Sequence, residues 1–164
     1  MAELTVLDEK LAEVLGLAQA AQQAARKVGT LAKKERDKKL ADLLTGMEKD
    51  AKAVEARCQK VAATRNGMKS SIAKKARETK AEVGDFMKSY LADAEALDGL
   101  EFLSMAEAGE LAHWRILDTL NKRAKERAIS DLTSFALPIQ EAHVREVASH
   151  SLRLAADEDP SETA

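Results

Sequence analysis

Apolar residues recur along almost the whole chain at alternating three- and four-residue steps, the spacing that places them on one face of a helix. Leu4, Leu7, Leu11, Val14, Ala18, Ala21, Ala25 and Val28 predict a first helix from about Leu4 to Leu31, ended by Gly29 and the polar run that follows. Leu40, Leu44, Met47, Ala51, Val54, Cys58 and Val61 predict a second, from about Glu35 to Thr64, before the Asn66-Gly67 turn signal. Ile72, Ala76, Thr79, Val83, Phe86 and Tyr90 carry the pattern on through 68–95. This segment reads as a helical crossover spanning the bundle, or as the front of one long helix reaching residue 122. The crossover is preferred, because Asp98 with Glu101 three residues later has capping-box spacing and Gly99 lies between them. A helix near 98–122 and a last one near 128–155 follow, expected to be antiparallel neighbours. Pro138 predicts a kink or a delayed start after Ser134 in the last.

Two of these seams are interrupted by chemistry. The stripe Leu100, Leu103, Glu107, Glu110, Trp114, Leu117, Asn121 has two carboxyl groups at its middle, each within about 40° of its centre at roughly 100° per residue. Burying ionised carboxylates unpaired is very costly, so a cation, a proton or a donor must meet them. The stripe Ile129, Leu132, Ala136, Ile139, His143, Val147, His150, Leu154 supplies two imidazoles. If the turn lies near Lys122 to Arg127, residue 143 faces residue 107, gathering Glu107, Glu110, Gln140, His143 and Glu146 at one level. Such a set of oxygen and nitrogen ligands suits iron, manganese or zinc. A buried Glu–His pair that fixes helix register is the metal-free reading of the same residues. His113 completes a Glu-x-x-His spacing with Glu110 but lies about 100° from the seam centre, a flanking position. His150 reads as a satisfied core histidine and Trp114 as packed core above the glutamates. On the first helix Glu9 and Glu13 point outward, leaving Asp8 or Gln22 as the inward polar groups. The second helix is chemically quiet, with Asp50 and Glu55 on the flanks of its seam.

Composition narrows the picture. The 164 residues are 45% hydrophobic and 33% charged, with 3% aromatic residues, 7 Gly and 2 Pro, which predicts one all-α domain over 1–156 and an acidic flexible tail over 157–164. A net charge of −2 provides no general attraction for nucleic acid or anionic lipid. The basic run Lys33 to Lys39 is interleaved with Glu35 and Asp37 and reads as a solvated helix start. No signal peptide and no membrane span is read, so a cytoplasmic location is expected. Cys58 is the single cysteine and reads as a small core filler.

The segments AEAGELAHWRIL (106–117) and QEAHVREVASHS (140–151) resemble the ferritin-like superfamily, most nearly the bacterial ferritin-like stress proteins of unassigned function. The similarity covers nearly the whole chain in layout and is specific only in these two motifs. It implies a ferritin-like four-helix bundle with a long crossover between its second and third helices and, in many members, a carboxylate-bridged dimetal centre. The family's paired glutamates land on Glu107 and Glu110, and its acidic fourth-helix motif on Glu141 and Glu146 with His143 between. Three departures stand out. The first-helix glutamate would match Glu9, which faces outward on the wheel; Met47 stands near the second-helix histidine position; and the fourth-helix Glu-x-x-His reads Gln140-Glu141-Ala142-His143. The expected function is therefore iron or manganese binding, with oxidative or storage chemistry in stress. The alternative is a metal-free helical scaffold acting by self-association or partner binding. Metal ions are the expected partner, a homo-oligomer the further option, and neither nucleic acid nor membrane is expected.

Overall fold

A computed structural model describes residues 3–162. Five α-helices and no strand are found among them: α1 (Val6–Lys34), α2 (Lys38–Ala63), α3 (Lys69–Tyr90), α4 (Ala96–Ala124) and α5 (Arg127–Asp157). Helix α1 packs against α2, α3 and α4, while α5 packs against α4 and α2.

The directions follow from which residues meet. Arg26 reaches Glu48 while Gln22 reaches Glu55, so α1 and α2 are antiparallel. Asp118 meets Thr133 and Glu107 meets Gln140, so α4 and α5 are antiparallel as expected. Asp50 meets His143 and Asp37 meets Arg153, which makes α2 and α5 antiparallel too. Helix α3 instead runs alongside α1 in the same direction: Lys75 lies by Glu9 and Glu13, and Val83 shares a small cavity with Ala20 and Ala24.

Local chemistry fixes the helix ends. The Thr5 hydroxyl accepts from Asp8 N at 3.1 Å, starting α1 two residues after the expected Leu4. Asp37 caps α2 at Leu40 N, 3.0 Å away, so that helix starts at Lys38 and not near Glu35. Gly29 does not end α1, which continues to Lys34; Arg36 makes the turn with φ 61. Gly67, at φ 76, takes the left-handed conformation expected of the Asn-Gly turn.

The chain breaks between Tyr90 and Ala96, so 68–122 is not one helix. The capping residue differs from the expected one. Asp98 accepts the Glu95 N–H at 2.8 Å, and its partner is upstream rather than Glu101. Gly99 has a packing role, because a Cβ there would stand 2.7 Å from Val28 Cγ1 on α1. Gly16 serves α3 in the same way: a Cβ would overlap the Ala76 carbonyl oxygen and lie 2.8 Å from Thr79 Cβ. Helix α5 is continuous through Pro138 from Arg127, so the delayed start after Ser134 does not occur. It extends to Asp157, the first residue assigned to the tail, and 158–162 are exposed; the last two tail residues lie outside the described ones.

Two apolar clusters fill the interior, one around Leu11, Ile72, Trp114 and Ile129, the other around Val28, Leu40, Phe102 and Val147. The polar layer lies between them.

Candidate functional site

The expected seam of α4 is buried at every position: Leu100, Leu103, Glu107, Glu110, Trp114, Leu117 and Asn121. Glu107 and Glu110 are 3% and 5% exposed. On α5 the buried stripe is Ala136, Gln140, His143 and Val147, with Ile139 only partly covered.

Glu107 is the hub. The Gln140 side-chain amide donates to its Oε2 at 2.5 Å, and His143 Nδ1 lies 3.4 Å from the same oxygen. The other ring nitrogen, Nε2, lies 3.2 Å from Asp50 Oδ2 on α2. His143 therefore joins three helices. Burial alone would lower its proton affinity, but the carboxyl groups of Glu107 and Asp50 outweigh that and raise its pKa.

Glu110, one turn along, has a different environment. Among the described residues its hydrogen bond comes from Trp114 Nε1, 3.3 Å from Oε1. Burial, reinforced by the charge of Glu107, pushes its pKa up to about 8, and the Trp114 bond and His143 offset this only in part. Glu110 thus holds its proton at neutral pH. Burial, then the charges of Glu110 and Glu55, raises the Cys58 thiol, which remains an unreactive core group. With Glu107, Glu110 also lines a small cavity of about 40 Å³ walled by Leu17, Ala20, Ala21 and Ala24 of α1, Val83 of α3 and Ala106.

Not every expected residue joins the layer. Glu146 is exposed and takes no part in it. It is one residue, roughly 100°, away from buried Val147, toward solvent. His113 flanks as expected: its Nδ1–H donates to the Gly109 carbonyl at 2.9 Å and its Nε2 lies 3.5 Å from Glu13. His150 is half-buried and accepts from Arg153 at 3.1 Å. Glu13 does not face water. Its side chain is 12% exposed and held by Lys10, Lys75 and His113, because α3 and α4 cover that side of α1. Asp8 is buried and paired with Arg65 at 3.3 Å, and Gln22 donates to Glu55 at 2.6 Å; neither reaches Glu107. Asp50 is the participant that periodicity missed.

The residues in place do not fit a two-metal centre. Among the described residues no group of three or more His, Cys, Asp or Glu side chains is disposed to hold a metal ion. Both nitrogens of His143 are taken up by carboxyl groups. Gln140 presents its amide nitrogen, a donor, toward Glu107, and α1 offers Leu17, Ala20 and Ala21 where an acid would be needed. What the arrangement can do is hold protons and fix the relative positions of α2, α4 and α5.

No family model, no curated protein and no solved structure matches the chain. No helix among the described residues is long and apolar enough to cross a membrane.

Proposed function

We propose that this chain is a ferritin-like four-helix bundle that acts as a metal-free helical scaffold, by self-association or by binding a partner. The bundle would consist of α1, α2, α4 and α5, with α3 as the crossover laid along α1. The contact circuit of these four helices and their mutual directions support that reading. The observation that carries the scaffold function is the double engagement of His143, by Glu107 of α4 and Asp50 of α2. A network satisfied within the protein sets helix register without an added cation. Met105 and Ile116 on α4 and Phe86 on α3 remain exposed and provide apolar surface for association.

A second reading, iron or manganese binding, is favoured by Glu110. It has no cationic side chain of its own and shares an enclosed cavity with Glu107. A divalent ion there would replace its proton.

The two readings separate by unfolding the wild type, Glu107→Leu, His143→Leu, their double variant and Glu110→Leu, each with and without Fe(II), Mn(II) and Zn(II). A scaffold ignores all three metals, and the double variant recovers stability that either single loses. Under the metal reading the wild type gains roughly 3 kcal/mol at a hundredfold excess of metal over Kd, and Glu110→Leu abolishes the gain. Sedimentation velocity of the wild type and of Met105→Glu/Ile116→Glu reads self-association directly.

A further inference from the structure

A half-open pocket of about 250 Å³ lies where the end of α2, the start of α3 and the middle of α1 meet, and it shares no lining residue with the small cavity of Glu107 and Glu110. Leu15, Ala62, Ile72 and Ala76 form its apolar floor. Its rim carries two cations, Lys69 and Arg77, set eight residues apart on α3 with Ala73 midway, so all three lie along one side of that helix. Neither cation has a side-chain partner among the described residues. Most other charged groups on this side of the molecule are paired: Lys74 with Glu78, Lys75 with Glu9 and Glu13.

No carboxyl group lines the pocket. Gln19 and Gln59, on its polar wall, both donate to Glu55 at 2.9 Å, and Gln22 adds a third amide at 2.6 Å, so that carboxyl group is already satisfied away from the cavity. An apolar floor with two unpaired cations at its mouth and no competing acid is complementary to an amphiphilic anion.

We infer that this pocket binds a monocarboxylate with a medium-length apolar tail, the tail on Leu15, Ile72 and Ala76 and the acid between Lys69 and Arg77. The volume lies somewhat below the roughly 300–1,000 Å³ of drug-sized sites, which suits a short chain rather than a long-chain fatty acid or a phospholipid.

The test is titration of the full chain with octanoate, followed by backbone amide NMR, with octylammonium as the probe of equal tail and opposite charge. Saturable shifts centred on Ala62, Ile72, Ala73 and Ala76, absent or far weaker with octylammonium, are expected. Lys69→Ala/Arg77→Ala should weaken octanoate at least about tenfold, as loss of charge-assisted contacts predicts. Both positions are exposed, so the variant keeps its fold. Ala73→Trp should block the pocket with the Lys69 and Arg77 charges intact. Equal binding of octanoate and octylammonium, shifts centred elsewhere, no saturation below the micellar range, or an unaffected double variant would each overturn the inference.

Discussion

His143 of α5 stands with Nδ1 3.4 Å from Oε2 of Glu107 on α4, the pair that the facing arithmetic of two antiparallel helices places at one level. Because Asp50 holds the other ring nitrogen, losing Glu107 leaves Nδ1 of His143 without a partner, and losing His143 leaves the buried Glu107 with Gln140 alone. Glu107→Leu and His143→Leu should each cost about 3–5 kcal/mol, the usual cost of breaking a buried pair, and the double variant less than the sum. Chemical denaturation of the four species gives the coupling, and additive losses would show that the pair does not act as a unit.

The layer also makes stability depend on pH. Glu110 has its folded pKa raised to about 8 from an ordinary 4.5, so the native state keeps a proton that the unfolded chain releases. Stability from this group is intact below about 4.5 and falls as pH rises toward 8, by at most about 1.4 kcal/mol per pH unit. His143 works in the same direction. Its raised pKa contributes stability that is present in full below 6.5 and is lost as pH rises through the folded value. Urea midpoints should therefore decline between pH 5 and 8. Glu110→Gln, which still accepts from Trp114, should flatten the decline and exceed the wild type at pH 8. A wild-type curve level across that range would contradict the assignment.

The glycines differ in what surrounds them, which predicts an order of effects. Gly16→Ala meets the Ala76 backbone, which cannot yield, and should cost about 1–3 kcal/mol. Gly99→Ala meets only side-chain atoms, of Val28 and Leu31, and should cost less. Gly109→Ala has open space and should be neutral or stabilising by up to about 1 kcal/mol through helix propensity. Thermal unfolding of the three variants checks the ranking.

Arg65, in the turn between α2 and α3, ties the start of α1 to the start of α5 through Asp8 at 3.3 Å and Glu126 at 2.5 Å. Arg65→Met should lower stability by about 1–3 kcal/mol, because Asp8 stays buried without its cation. Adding Asp8→Asn should restore part of the loss. An Arg65→Met protein as stable as the wild type would mean that the pairing is incidental.

The sequence by itself determined the helices, their order and the buried stripe of α4, since a regular apolar seam specifies a face whatever lies against it. Leu100 through Asn121 are buried at every expected position, and the turn near 125 brought residue 143 opposite residue 107. Only the tertiary structure decided how many neighbours each helix has. Helix α1 touches three others, so Glu13 is enclosed and the Ala12, Gly16, Ala20 side is core, although one seam had implied one buried face. Asp50 joined the layer, and Glu146 stayed outside it, for the same physical reason. A flanking side chain is turned to solvent or to a partner by the long-range packing of α2 on α5, and the periodicity of a single helix carries no information about that contact.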